Sequence, residues 1–222
     1  MTAALICTVI GLPWLGAILV WIVGDRKSRL QTILAVVFSL AAGLAALLLI
    51  PGASSQAVIQ LDAGSSFGTF SFIADGLGIF LSAVATVIGS LAVIFSIDYM
   101  KGEKSLGRYY SLILLFIGAM TGLVLTNSLL LVFVFWEITA LCSYGLISFH
   151  NEDPIAVAGG IKALIITQLG GIGLLAGALI LYSQFGSYEI NTLLEQSGNL
   201  PGSLLAIVAF GFLAAAAAKS AQ

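Results

Sequence analysis

Residues 131–149 read LVFVFWEITALCSYGLISF, an apolar segment with a single carboxylate, Glu137, near its middle. As a helix, a segment of this length crosses about 30 Å of hydrocarbon. An ionisable side chain at the centre of such a helix costs about 2.5–3.5 kcal/mol on insertion scales. Ionisable groups there normally face protein or water and mark paths for ions. The segment therefore predicts a membrane-spanning helix with a functional carboxylate.

The rest of the chain also has the composition of a membrane protein. Of its 222 residues, 60% are hydrophobic and 8% are charged, whereas a soluble domain carries about 25% charged residues. No pattern resembles a phosphate-binding glycine loop, a metal-ligand set, a nucleophile triad or a nucleic-acid surface. We therefore expect no cofactor, no metal and no nucleic-acid partner. Cys7 and Cys142 lie in apolar runs, which indicates buried thiols rather than a disulfide.

Seven apolar stretches are long enough to span a bilayer. They cover about 4–23, 30–50, 77–97, 109–126, 128–149, 155–182 and 203–222. The first lacks the basic region of a signal peptide and is expected to be retained. The predicted fold class is an all-α polytopic membrane protein. The Gly/Ser-rich segment 51–76 is predicted to be an outer loop, and its pattern favours a short hairpin.

The positions of lysine and arginine predict the orientation of the chain. Six of the eight cations lie in two loops on one side of the membrane, and the opposite loops, 51–76 and 183–202, contain none; the six are Arg26, Lys27, Arg29, Lys101, Lys104 and Arg108. This bias predicts a multi-pass protein of the cell membrane with its N-terminus outside and the turn at 150–153 inside.

The two remaining cations, Lys162 and Lys219, lie inside predicted spans, as Glu137 does. Counted from the turn at 150–153, Glu137 and Lys162 lie at similar depth on neighbouring antiparallel helices. A carboxylate–ammonium pair near the bilayer midplane is therefore possible. Such a pair would act as a switch, because separating its partners makes the proton easier to release.

Three further side chains are candidates for proton access to this pair. Tyr144 and Ser148 share the helical face of Glu137 and could continue a polar route toward the inner side. His150 lies at the inner end of the fifth span, and histidine side chains commonly carry protons in proteins, although an interfacial histidine with no special role is the alternative. In the sixth span, glycines at 170, 171, 173 and 177 have the spacing that lets helices approach closely.

Four segments occur in an order and spacing that resemble a known family. They are FSIDYMKGEKSLGRYYSLILLF (95–116), FWEITALCSYGLISF (135–149), IKALIITQLGGIGLLAG (161–177) and AAAAAKSAQ (214–222). Together they resemble the antiporter-like membrane subunits shared by respiratory complex I, membrane-bound hydrogenases and Mrp-type cation/proton antiporters. The chain is most similar to the large A-type Mrp subunit and its complex I counterpart.

The resemblance implies roles for the three intramembrane charges. It implies that Glu137 pairs with Lys162, and that Lys219 lies at a broken helix beside a hydrated channel and relays protons. The chain would then be a proton- or cation-translocating subunit of a multisubunit complex. The resemblance favours a Mrp-type Na⁺(K⁺)/H⁺ antiporter. Two alternatives stay open: a proton-pumping subunit of complex I or of a membrane-bound hydrogenase, which would make it part of a redox-driven translocase, and a scaffold without transport.

The resemblance also predicts how the chain is divided. Members of the family carry two inverted five-helix units. Residues 1–108 would form three leader helices, and residues 109–222 would form helices 4–7 of the first half-channel. Because the sequence stops at Gln222, we expect other membrane subunits as partners, including a chain that supplies the second half-channel.

Overall fold

The computed structural model describes residues 2–55, 58–62, 64 and 69–220, which form eight α-helices and a two-stranded sheet. The predicted loop 51–76 and the predicted span 203–222 each include residues outside these ranges, Gln222 among them. The elements are α1 (Thr2–Val23), α2 (Ser28–Leu49), β1 (Val58–Asp62), β2 (Thr69–Ile73), α3 (Gly76–Tyr99), α4 (Leu106–Leu125), α5 (Leu129–Ile147), α6 (Pro154–Phe185), α7 (Ile190–Gln196) and α8 (Gly202–Lys219).

Every helix except α7 is long and apolar enough to cross a membrane, which gives seven spans in the described part of the chain. The predicted all-α polytopic fold is confirmed, and each span overlaps the predicted stretch. The segment 183–202, predicted as a loop, contains the end of α6 and the short helix α7. Leu193 of α7 is buried, so this segment packs against its own unit.

Helix boundaries follow from local sequence. Asp75 accepts a hydrogen bond from the Gly78 N–H at 2.6 Å and starts α3. Asp153 accepts one from the Ile155 N–H at 2.9 Å and starts α6, with Pro154 in the first turn, where a missing N–H costs nothing. Gly186 ends α6 in the left-handed region, with φ at 66°.

The hairpin predicted in the segment 51–76 is confirmed, because β1 and β2 form a two-stranded sheet. The connection before α5 holds this sheet in place. The Asn127 N–H donates to the Ser71 carbonyl at 2.8 Å, and the Ile190 N–H donates to the Asn127 carbonyl at 2.8 Å. Asn127 therefore links β2 to the first residue of α7.

The chain packs as two compact units. The first consists of Met1–Val58 and Ile73–Leu125 and contains α1 to α4. Within it, α4 packs against α1, α2 and α3. Its core consists of Ala17, Val20, Ala35, Val93, Tyr110, Leu114 and Ile117.

The second unit consists of Ile59–Phe72 and Thr126–Gln222 and contains α5 to α8. Here α6 packs against both α5 and α8. The predicted division into 1–108 and 109–222 described a functional repeat, and it stays a prediction. The compact units divide the chain differently, because α4 packs in the same unit as α1 to α3. All three intramembrane charges, Glu137, Lys162 and Lys219, lie in the second unit.

Candidate functional site

Helix α6 contacts its two neighbours through different glycines. Toward α8, a Cβ added at Gly173 would lie 2.7 Å from the Gly211 carbonyl oxygen, closer than real Cβ contacts allow. Because only glycine fits there, the two backbones approach closely, as the glycine spacing predicted. Gly171 faces α5 instead, and a Cβ added there would overlap Oε1 of Glu137. Gly170 also faces α8, where an added Cβ would lie 2.7 Å from the Ala218 Cβ. The neighbouring glycines at 170 and 171 thus serve two different helix contacts.

Glu137 is half-buried on the side of α5 that packs against α6. Its Oε2 accepts a hydrogen bond from the side-chain amide of Gln168 on α6. Its Oε1 is buried and has no hydrogen-bond partner among the described residues. An unpaired buried polar atom costs roughly 1–3 kcal/mol, and more when it is charged. A proton, a water molecule or a cation at Oε1 would remove this cost.

Lys219 is the last residue of α8, and its ammonium is bound by α5. The Nζ donates to Thr139 Oγ1 at 2.9 Å and lies 5.0 Å from the centroid of the Trp136 ring. The Thr139 hydroxyl in turn donates to the Trp136 carbonyl at 2.8 Å. The aromatic face and the C-terminus of α8 both stabilise a positive charge.

Glu137 and Lys219 lie on different sides of α5. Glu137 faces α6, whereas Thr139, which holds Lys219, lies two positions further along and therefore on nearly the opposite side of the helix. The two charges thus flank the same turn of α5.

The structure does not bring Glu137 and Lys162 together, and their pairing stays a prediction. Lys162 is exposed on α6, and in the described part of the chain its ammonium makes neither a hydrogen bond nor an ion pair. The side chain of Gln168 occupies the position against Glu137 that the prediction gave to Lys162.

Helix geometry explains this difference. Side chains lean toward the N-terminus of their own helix. On the antiparallel helices α5 and α6, Glu137 therefore leans away from the turn at 150–153, and Lys162 leans toward it. Gln168 lies six residues, or about 9 Å, further from that turn and meets the carboxylate. Lys162 is also nine residues from Gly171, which places the two on opposite sides of α6.

Two of the three proton-access candidates lie on the contact between α5 and α6. A Cβ added at Gly160 would lie 3.2 Å from both Ser148 Oγ and Tyr144 Cδ2, and the Ser148 hydroxyl donates to the Tyr144 carbonyl at 2.6 Å. His150 is exposed in the turn, with its ring centroid 5.3 Å from that of Phe149. A role for these side chains in proton access stays a prediction.

Three residues that contact Glu137 or Lys219 were not part of the predicted site: Gln168, Thr139 and Gly171. Gln168 gave the clearest signal, since an amide inside a membrane span usually hydrogen-bonds to a neighbouring helix. Thr139 gave a weaker signal, because a threonine hydroxyl can also bond to the backbone of its own helix. No cluster of His, Cys, Asp or Glu that could hold a metal ion occurs among the described residues.

Comparisons with known proteins agree with this architecture. Residues 126–222 match the family described as NADH:quinone oxidoreductase/Mrp antiporter, TM. Residues 61–110 match the family described as NADH-Ubiquinone oxidoreductase (complex I), chain 5 N-terminus.

Curated relatives cover much of this chain. The Na(+)/H(+) antiporter subunit A1 of Staphylococcus aureus, strains JH9 and Newman, is 38% identical over 154 residues, which are 69% of this chain and 19% of the relative. The chain therefore spans about a fifth of the length of these relatives.

Solved structures share the fold. A chain in the structure of the Mrp complex from Dietzia sp. DQ12-45-1b matches with a TM-score of 0.84 at 23% identity, over 100% of this chain and 24% of that one. A chain of the membrane-bound sulfane sulfur reductase, an archaeal respiratory membrane complex, matches with a TM-score of 0.83 at 20% identity. The match covers 96% of this chain and 44% of that one. The resemblance predicted from the four segments is thus confirmed: the chain belongs to the antiporter-like membrane subunit family shared by Mrp antiporters and complex I, and it matches the N-terminal portion of the larger members.

Proposed function

We propose that the chain is a proton- and cation-translocating part of a multisubunit membrane complex, with Glu137 as the group that takes up and releases the proton. The observation that carries this proposal is the half-satisfied carboxylate of Glu137 in a membrane-spanning helix. Its Oε2 is held by Gln168, whereas Oε1 is buried without a partner among the described residues. A permanently ionised group would be costly there, so a group that exchanges a proton suits the position.

The surrounding side chains supply the two states of such a site. In the ionised state, the Gln168 amide donates to Oε2 of the carboxylate, and the Lys219 ammonium is held at the same turn of α5 by Thr139 and Trp136. Movement of that ammonium away from Thr139 and Trp136 would remove a positive charge from this turn of α5. We assign Lys219 the relay of this change along α8, and we assign Lys162, with its exposed ammonium, a later step at a partner or water surface.

Two energy sources are compatible with this site. We favour a Mrp-type Na⁺(K⁺)/H⁺ antiporter, because the relatives that are 38% identical carry an antiporter name. A redox-driven complex is the second candidate, supported by the match to a complex I family and by the fold of the sulfane sulfur reductase chain. Purification of the intact complex distinguishes them, since companion subunits with bound iron and redox activity would exclude the plain antiporter.

Assembly and orientation belong to the same proposal. The partners are other membrane subunits of the complex. The complex lies in the cell membrane with the N-terminus of this chain outside. Loop cations on one side only support this orientation.

Replacing Glu137 tests the proposal. Glu137→Gln keeps the size and polarity of the side chain and removes its proton chemistry. The assembled complex, reconstituted into vesicles, is expected to lose at least about tenfold in cation-driven proton movement, followed with an acridine dye. Glu195→Gln makes the same chemical change at an exposed site on α7 and is expected to keep the wild-type rate. An assembled Glu137→Gln complex with undiminished transport would instead support the scaffold alternative.

A further inference from the structure

The first compact unit contains a groove of about 650 Å³ that the proton site does not use. Its walls come from α2, α3 and α4, and the apolar part is lined by Ile33, Val36, Val37, Ile97 and Leu106. Val37 lies eight residues beyond Arg29, so the apolar wall extends about 12 Å along α2 from the loop end. The groove therefore runs lengthwise along the spans, as a lipid chain does.

The loop end of the groove is polar. Arg29 and Lys101 line this end. Arg29 lies in the first turn of α2, and Lys101 lies just after the last turn of α3. Asp98 also lines the groove, so its formal charge is one positive unit. Both cations are exposed. They belong to the two loops that the charge bias places on the inner side, where the leaflet surface is anionic.

We propose that this groove binds one anionic phospholipid, with its phosphate at Arg29 and Lys101 and an acyl chain along the apolar wall. The guanidinium group of an arginine matches phosphate geometry with paired hydrogen bonds. The apolar wall alone would accept any lipid, and the cations alone would accept any anion. Only a molecule with an anionic headgroup and an acyl chain can contact both the cations and the apolar wall. The proposal does not depend on the assignment of Glu137.

Lipid binding to the intact complex tests the proposal. The purified complex is titrated in detergent with dioleoyl phosphatidylglycerol or dioleoyl phosphatidylcholine, and bound lipid is counted by native mass spectrometry. The double variant Arg29→Gln/Lys101→Gln should bind phosphatidylglycerol about 25-fold more weakly, because each cation near an anionic headgroup contributes about fivefold. Its binding of phosphatidylcholine should not change.

A matched control separates the groove from general loop charge. Lys27→Gln/Lys104→Gln removes the same charge from the same two loops, at exposed side chains that do not line the groove. This variant should keep phosphatidylglycerol binding within about twofold of wild type. An equal loss in both double variants would show diffuse attraction and overturn the proposal.

Two further measurements separate lipid from other ligands. Val37→Trp places a large side chain at an exposed position of the groove wall and should weaken phosphatidylglycerol binding while the charges remain. Glycerol phosphate, a headgroup without chains, should not compete at equal concentration. Competition by glycerol phosphate, or unchanged binding in Val37→Trp, would mean a free anion site and contradict the proposal.

Discussion

Glu137 has two carboxylate oxygens in different surroundings, and the chemistry of the site depends on that difference. One oxygen is fixed by the Gln168 amide, and the other lies unpaired against Gly171 among the described residues. The absence of a side chain at 171 is therefore what leaves room for the second oxygen.

Gly171→Ala should displace this carboxylate and reduce proton movement by at least about tenfold, because a Cβ there overlaps Oε1. Gly159→Ala is the control on the same helix, since its Cβ would lie an ordinary 3.8 Å from the Ile147 side chain. Transport is measured per assembled complex, with assembly checked on a native gel. Equal rates in the two variants would mean that the position of Oε1 does not matter.

Thr139→Val tests how the Lys219 ammonium is held. The substitution keeps the shape of the side chain and removes the hydroxyl that accepts from Nζ. A hydrogen bond to a charged group contributes about 1.5–3 kcal/mol, so we expect transport to fall about tenfold.

The control is Thr167→Val on α6. Among the described residues, its hydroxyl donates to two carbonyls of its own helix, those of Ala163 and Leu164, both at 2.9 Å. Proton uptake by vesicles is compared for the two variants. If Thr167→Val reduces transport as much as Thr139→Val, the contact with Lys219 has no specific role.

The sequence identifies the individual charges but not which of them meet. Glu137 and Lys219 stand out because each is a single ionisable residue in an apolar run. Their partners depend on how each helix is rotated about its axis. Apolar side chains are spread around the whole circumference of α5 and α6, so hydropathy does not show which face meets a neighbour. Counting residues from the turn at 150–153 gave only the depth of each charge in the membrane. That is why Lys162 was predicted in the place that Gln168 holds.

At the scale of elements, span lengths and most boundaries are local properties and could be predicted. Asp75, Asp153 and Gly186 act within a few residues of the helix ends they set. Helix α7 could not be predicted in this way. Its seven residues are too few for a stable isolated helix, and the Asn127 carbonyl that receives the Ile190 N–H comes from a distant part of the chain.

Packing of α6 against α8 should be sensitive to one added methyl group. Gly173→Ala places a Cβ 2.7 Å from the Gly211 carbonyl, which is backbone and cannot rotate away. We expect a loss of about 1–3 kcal/mol in stability from this overpacking, seen as a lower Tm of the complex in detergent. Gly11→Ala, where a Cβ meets nothing within 4 Å, should leave Tm unchanged or slightly raised. A drop of equal size in both variants would indicate that the close approach of α6 and α8 does not limit stability.

At the scale of the whole molecule, the charge bias predicts which loops face the cytoplasm. Single cysteines are introduced at Lys104→Cys, in the loop after α3, and at Leu61→Cys, exposed on β1, in a background without Cys7 and Cys142. In right-side-out vesicles, an impermeant maleimide should label the cysteine at 61 directly. The cysteine at 104 should react only after permeabilisation. The reverse pattern would invert the proposed orientation.

The central claim is that the side chain of Glu137 changes protonation state during transport. Infrared difference spectroscopy of the reconstituted complex observes this directly, since a protonated carboxyl group absorbs apart from a carboxylate. We predict a carboxylic acid band that appears and disappears as the proton gradient is reversed in wild type and is absent in Glu137→Gln. The same band, undiminished in Glu137→Gln, would place the moving proton on another residue and contradict the account.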